Sequence, residues 1–440
     1  MADTPRLKSQ RPSNQFHLNN NTTIKLYQLR PLKDSINPMA SRRRTSSVGK
    51  IDLGDSVPGL AAQRTSKRSH RASASRVTQL SSKSSTDSEI LSKIKTAYVE
   101  LSYRHTWLTP FMILVVVYGA YFSSGNYTES NPLHMFVAIS YQLEEGKDVY
   151  AKGWKDLCFV FYYMIFFTFL REFVMQCILR PLASVVGVKK PGKVKRFMEQ
   201  AYSIFYYGIS GPFGLYVMYG SDLWLFRTDT MYKTYPDITT EWLYKLFYLG
   251  QAAFWSQQSV LLILQVEKPR KDYHELIMHH IVTMLLIGCS YQFHFQKMGL
   301  AVYITMDVSD FFLAVSKVLN YLDSPFIGPW FALFVGSWIY LRHWVNLSIL
   351  WSVLTEFKTI GPYTLNFATQ QYKCWISQTI TFILIGALQL VNIYWLVLIL
   401  RIVYRFVFGL NAKDDRSDSE DEDQILDEHE NIPESSKKTQ

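Results

Sequence analysis

His279 and His280 stand side by side in the run Tyr273-His274-Glu275-Leu276-Ile277-Met278-His279-His280-Ile281-Val282-Thr283. Asp307 and Asp310 stand one helical turn apart in Met306-Asp307-Val308-Ser309-Asp310-Phe311. A carboxylate that accepts one imidazole N–H leaves the other ring nitrogen as a base or nucleophile. That nitrogen can take a proton from an amine or hydroxyl, or attack an activated acyl carbon itself. These four residues are the candidate catalytic groups, and acyl transfer is the chemistry they point to. The plainer reading is that each histidine makes an ordinary polar contact between helices. The histidine pair at the level of an aspartate pair favours function.

On a helix His279 and Thr283 share a face, while His280 points about 100° away. One imidazole is then expected to face a reaction chamber and its neighbour an adjacent helix. Asp307 and Asp310 also share a face. Only residues 295–297 separate the two segments, so their helices should be antiparallel neighbours. Counted from their polar ends, the two pairs lie at similar depths.

The surroundings are apolar. The chain is 48% hydrophobic and 15% aromatic but only 19% charged, below the roughly 25% of soluble proteins. Stretches able to cross ~30 Å of hydrocarbon recur near 106–124, 156–179, 200–219, 243–265, 274–294, 298–319, 326–354 and 378–408. The expected fold is an all-α polytopic membrane protein with about eight transmembrane helices. Ionisable groups inside such spans are expensive and are functional candidates by default. Arg171-Glu172 and Arg342-His343 belong to this set, as structural ion pairs or as chamber lining. The glycines around Pro212, in Gly208-Ile-Ser-Gly211-Pro212-Phe-Gly214, should kink the third span or let a chain pack closely.

The net charge of +10 resolves into three parts: +11 over 1–100, +6 over 101–410 and −7 over 411–440. Residues 1–95 read as a disordered basic segment and 411–440 as a disordered acidic tail. No apolar run opens the chain, so no cleavable signal peptide is expected. Lys193, Lys195 and Arg196 follow the second span, and Lys268, Arg270 and Lys271 the fourth. The positive-inside rule places both clusters, and both termini, in the cytosol. The same clusters are candidates for the phosphates of a CoA ester. Asn126-Tyr127-Thr128 is a glycosylation sequon on the expected lumenal side. Lys437-Lys438-Thr439-Gln440 resembles a retrieval signal of the endoplasmic reticulum membrane. Ser417 and Ser419 lie in an acidic run and Ser47 follows an arginine run, so all three are candidate phosphorylation sites. A nucleic-acid reading uses only the basic N-terminal segment and has no module behind it.

The four cysteines form neither a disulfide framework nor a CxxC pattern. His274…His279-His280 superficially resembles a di-iron histidine box, but ten histidines with one adjacent pair supply too few clustered ligands. No metal or resident cofactor is expected.

The run Tyr273–Leu322 resembles the signature of ceramide synthases, within the TLC-domain membrane proteins. It is carried by His279-His280-x-x-Thr283, Ser290-Tyr291, Gly299, Asp307-x-Ser309-Asp310 and Lys317-x-x-Asn320-Tyr321. The similarity to fungal catalytic subunits extends through Trp338-Ile339-Tyr340-Leu341-Arg342, Asn366–Trp375 and the acidic tail. Many animal members have a histidine before the first aspartate and an asparagine near 294, where Met306 and His294 stand here.

The resemblance implies transfer of a long- or very-long-chain acyl group from acyl-CoA, a co-substrate, to the amine of dihydrosphingosine or phytosphingosine. It implies a barrel of two inverted three-helix repeats, expected from spans two to seven. The domain expectation is 1–95 disordered, 100–155 first helix and lumenal loop, 156–410 TLC catalytic domain with the last helix, and 411–440 tail. Thr283, Arg171, Arg342, His343, Lys317 and Asn320 are candidates for substrate contact. His279 is the expected acyl acceptor or general base, Asp307 or Asp310 its orienter, and His280 an assistant. Expected partners are membrane lipid, a small single-pass accessory subunit, and a second copy or a paralogous catalytic subunit. A non-enzymatic TLC-type lipid sensor or transporter is the competing reading.

Overall fold

The computed structural model describes residues 84–144, 146–266 and 271–408, with side chains described from Glu89 onward. The expected disordered segments, Ser47, Ser417, Ser419, Lys268 and Arg270 lie outside the described residues, apart from a helix over the last part of the N-terminal segment.

That helix is α1 (Ser84–Arg104), which meets α2 (Leu108–Ser123) at a bend of 110°. Helix α3 (Lys155–Val185) contains a π-helical stretch, Val174–Leu179. It ends in the left-handed Gly187, φ 86°, where Val188 N–H returns to Ala183 O at 3.0 Å. Pro191 then opens α4 (Pro191–Tyr219), its fixed φ suited to a first helical turn. Next come α5 (Trp242–Ile263), α6 (Tyr273–Gln292) and α7 (Gln296–Tyr321). Ile327–Trp338, a π-helical Ile339–Val345 and Asn346–Thr355 run on as one segment, α8. A two-stranded hairpin, β1 (Leu365–Asn366) against β2 (Gln371–Tyr372), leads into α9 (Trp375–Val407). The start of α9 is fixed by reciprocal caps between Cys374 and Ser377.

Helices α2 to α9 coincide with the eight expected spans. By themselves α3, α7 and α9 are long and apolar enough to cross a membrane, and α1 with α2 pass that test as a bent pair.

Packing order defines a ring: α4 against α5, α5 against α6, α6 against α9, α9 against α8, α8 against α7, and α7 back against α4. The first three ring helices and the last three occupy opposite arcs. First meets first (α4–α7) and third meets third (α6–α9), the pattern of a twofold-related pair of repeats. The ring therefore uses spans three to eight, one later than the expected two to seven. Helix α3 packs outside, against α5 and α4, with α2 against it.

The glycines in α4 do not break it, because the helix runs on through Pro212. They allow close approach instead. A Cβ on Gly214 would stand 2.8 Å from Phe247 Cζ of α5 and 3.0 Å from Ile304 Cγ1 of α7. Polar side chains tie the same three helices. Ser210 of α4 and Gln251 of α5 donate to Asp307 Oδ2 of α7 at 2.7 and 2.5 Å, and Tyr206 donates to Gln251 Oε1 at 3.1 Å. Outside the ring's polar core, Lys245 pairs with Asp156 at 2.8 Å and so joins α5 to α3.

Candidate active site

Helix α6 carries His279 and His280 halfway between the ring's interior and α5. His279 is 6% exposed. Its ring lies 5.2 Å from Trp395 of α9 and 6.0 Å from Trp255 of α5, centroid to centroid. Its Nδ1 is buried without a hydrogen-bond partner. His280 turns toward α5, where its Nδ1 shares a 3.0 Å hydrogen bond with Ser259 Oγ. The expected division of the two imidazoles is therefore present, one facing inward and one held by a neighbouring helix.

Two cavities meet at His279. The first, about 220 Å³, is polar and is lined by Arg171, Glu199, Asp272, Asp310, Lys317 and Arg342 together with both histidines. The second, about 240 Å³, runs toward the hairpin end between α6, α7 and α9. Its walls include Thr283, Leu286, Val302, Met306, Leu384 and Leu388. A more polar cavity and an apolar one that share one imidazole in their walls suit a reactant with a charged head and a long hydrocarbon chain.

Arg342 closes one side of the polar chamber and is 2% exposed. Its Nε donates to Ser309 Oγ at 2.6 Å, Nη1 to Asn392 Oδ1 at 3.3 Å and Nη2 to Met306 O at 3.3 Å. Nη2 also pairs with Asp310 Oδ1 at 2.5 Å, and the guanidinium lies 4.1 Å over the Trp338 ring. The π-helical turn of α8 presents Arg342 to both α7 and α9, since an extra residue per turn rotates the side chains that follow.

Of the expected residues, His279, His280, Asp310, Arg171, Lys317 and Arg342 gather at the polar cavity and Thr283 at the apolar one. Asp307 lies deeper: it lines neither cavity, and its Oδ2 accepts from Ser210 and Gln251. It does not bond His279, so its expected role as the imidazole's orienter is not realised in this geometry. Asp310 pairs with Arg342 at 2.5 Å. His343 turns away from the chamber to Gln389 of α9, at 2.7 Å. Asn320 is exposed and lines neither cavity. Arg171 is at once an ion-pair partner of Glu172, at 2.6 Å, and a chamber wall. Lys193, Lys195, Arg196 and Lys271 also lie outside the two linings, Arg196 pairing with Glu199 at 3.3 Å. Asn126 is exposed in the loop after α2, its Oδ1 accepting from the Thr128 N–H and hydroxyl at 3.0 and 2.7 Å.

Asp272, Trp255, Trp395 and Asn392 join the site in addition to the residues expected from the sequence. Gln389 and Asn392 stand one turn apart in an otherwise apolar span, a signal that was present. The last helix was assigned outside the barrel, so its polar face was not read as lining.

The TLC-domain family matches residues 196–401, from the first turns of α4 to the last turns of α9, the same six helices that close the ring. The chain is 64% identical over 383 residues to the ceramide synthase LAG1 of Saccharomyces cerevisiae strain S288c, covering 87% of this chain and 93% of that protein. It is 46% identical over 319 residues to the sphingosine N-acyltransferase lac1 of Schizosaccharomyces pombe, covering 72% and 82%. It is 37% identical over 297 residues to the lag1 sphingosine N-acyltransferase of the same organism, covering 66% and 73%. This chain belongs to the ceramide synthase family, the acyltransferases built on a TLC domain.

Proposed function

We propose that this acyltransferase moves a long- or very-long-chain fatty acyl group from its CoA thioester to the amine of a sphingoid base, dihydrosphingosine or phytosphingosine. The products are a ceramide and CoA. One observation carries the reading: the unpartnered Nδ1 of His279 stands where a polar chamber meets an apolar channel. The thioester fits that junction with its acyl chain in the channel and its CoA end in the chamber.

At the junction His279 acts as base or as acyl acceptor. As base, it takes the proton that the amine loses as nitrogen adds to the carbonyl carbon. The C–S bond then breaks, and the departing thiolate receives a proton. As acceptor, its nitrogen adds first, the C–S bond breaks and the CoA thiolate leaves and takes a proton; the amine then adds to the acyl-imidazole, loses its proton and displaces the imidazole. His280 assists, anchored by Ser259. Asp310 acts through Arg342, whose charge it fixes at the chamber wall. Asp307 supports the junction from below by holding α4 and α5 to α7. Arg171, Lys317 and Thr283 are substrate-contact residues of the chamber and channel. The basic clusters of Lys193, Lys195 and Arg196, and of Lys268, Arg270 and Lys271, attract the CoA phosphates. No resident cofactor is needed, because a thioester is already activated.

The protein works as a multi-pass protein of the endoplasmic reticulum membrane with both termini cytosolic and Asn126 glycosylated in the lumen. Ser47, Ser417 and Ser419 take phosphate, a small single-pass subunit accompanies the chain, and catalytic subunits pair with a copy or a paralogue. The test is product identification. Purified protein with the accessory subunit, given a C26 acyl-CoA and dihydrosphingosine, should form the N-acylated base and free CoA in equal amounts. Binding of both lipids without turnover would make the chain a sensor or transporter and overturn the proposal. Intact mass after acyl-CoA alone separates the two routes: an acyl adduct absent from His279→Ala supports the acceptor role.

A further inference from the structure

Acyl transfer passes through a tetrahedral intermediate whose oxygen carries the charge, and a positioned N–H donor at that oxygen is among the largest contributions an enzyme makes. The chamber offers several cations and donors, so the question is which of them reaches the junction. Arg342 is the obvious cation, but its Nε and both terminal nitrogens already serve Ser309, Asn392, Met306 and Asp310. Tyr202 and Trp338 each hold a buried donor without an acceptor, yet both line the polar cavity alone.

Two residues line both cavities, His279 and Trp255. Each is buried, at 6% and 7% exposure. Each presents one unpartnered polar atom, an imidazole Nδ1 on His279 and an indole Nε1–H on Trp255. The rings lie 6.0 Å apart at an interplanar angle of 72°. Rings this close touch edge to face, so the two side chains form one continuous wall shared by both cavities, and a carbonyl bound against that wall meets both residues.

We propose that Trp255 is a catalytic residue whose indole N–H donates to the thioester carbonyl oxygen and holds it as the oxyanion forms. The inference rests on the acyl-CoA reading of the junction given above. When nitrogen adds to the carbonyl carbon, the C=O π pair moves to oxygen, and Trp255 Nε1–H donates to it. Collapse re-forms C=O and expels the CoA sulfur with the C–S pair. The proton lost by the attacking amine goes to His279 and from there to sulfur. The indole keeps its own proton throughout. Burial accounts for part of the choice of residue: a tryptophan supplies one donor from a large apolar ring, so it also walls the acyl channel.

The test replaces Trp255 by Phe in the full chain with its accessory subunit. Trp255→Phe keeps an aromatic wall and removes the donor. The expected result is a loss of kcat on the order of 10²-fold, with KM for acyl-CoA and the affinity for a non-hydrolysable thioether analogue within about twofold. A second variant substitutes β-(3-benzothienyl)alanine at 255, which keeps the bicyclic shape and lacks the N–H. It should lose turnover to the same extent, and it decides the matter if Trp255→Phe does not fold. Turnover within about threefold of the unmodified protein in either folded variant would overturn the proposal, as would a loss explained by weaker analogue binding. His279→Ala is run in parallel. If it abolishes turnover while the 255 variants do not, the oxyanion role fails and the junction reading stands. If it leaves turnover intact, the junction reading itself fails.

Discussion

Arg342 shows how a single charged side chain is made tolerable inside a ring of apolar helices. Stacking on Trp338 and three donor bonds surround a 2.5 Å pair with Asp310. Removing one member of such a buried pair typically costs about 3–5 kcal/mol, because the remaining charge is left badly solvated. Arg342→Leu should therefore lower stability by about that amount and abolish transfer. Adding Asp310→Leu should restore part of the stability without restoring activity, which denaturation of the detergent-solubilised protein and a ceramide assay together would read. If Asp310→Leu cost the same in the Arg342→Leu background as in the unmodified protein, the two side chains would not be energetically coupled. Arg342→Lys keeps the charge but loses the planar fork that serves four acceptors at once, so it should behave more like the leucine variant than like the unmodified protein.

At the level of elements, the seam of α4, α5 and α7 is set by Gly214. Its missing Cβ lets Phe247 and Ile304 close over the backbone, at 2.8 and 3.0 Å from where that Cβ would be. Overpacking of this kind usually costs about 1–3 kcal/mol, so Gly214→Ala should lower the melting temperature by several degrees. Gly336→Ala is the control: nothing stands within 4 Å of its Cβ position, and it should be neutral or slightly stabilising. An equal drop in both would remove the seam argument. The eight apolar runs were legible because burial in lipid needs long continuous stretches, and the His-Asp cluster was legible because polar groups are rare within them. Which helices close the ring was not legible in the runs themselves. Hydropathy reports length, and α3 and α9 both satisfy it. Their difference lies in the inward face: Gln389, Asn392 and Trp395 of α9 meet His343, Arg342 and His279. The partners of Asp307 and Asp310 were likewise beyond spacing rules, because depth along two helices does not fix which third helix stands beside them.

For the molecule as a whole, the +10 net charge divides between a basic N-terminal part and an acidic tail on either side of a mildly basic membrane region. At the hairpin end, away from the polar chamber, Lys152 Nζ lies 2.7 Å from His294 Nδ1 and 3.0 Å from Asp237 O. Burial pushes Lys152 down from 10.5 to about 7, against the opposing pull of Asp237. Burial, with the nearby Lys152, pushes His294 down from 6.5 to about 4. Between about 7 and 10.5 the unfolded chain holds the lysine proton that the folded chain has released, so stability should rise with pH across that window. Between about 6.5 and 4 the unfolded chain takes the histidine proton first, so stability should fall as pH falls. Lys152→Met should flatten the upper slope in a melting series from pH 6 to 10; an unchanged slope would place the titrating group elsewhere. His294 also adopts φ 64°, a left-handed backbone that asparagine accepts readily, so His294→Asn should keep the loop between α6 and α7 folded. The central claim is that His279, at the meeting of the two cavities, is the imidazole that acts on the acyl group. It is tested most directly by the turnover of His279→Ala in the full chain, measured beside a melting curve that verifies folding. A fall in kcat of about 10²–10⁴-fold in a folded protein is the expected result, and turnover within about threefold of the unmodified protein would contradict it.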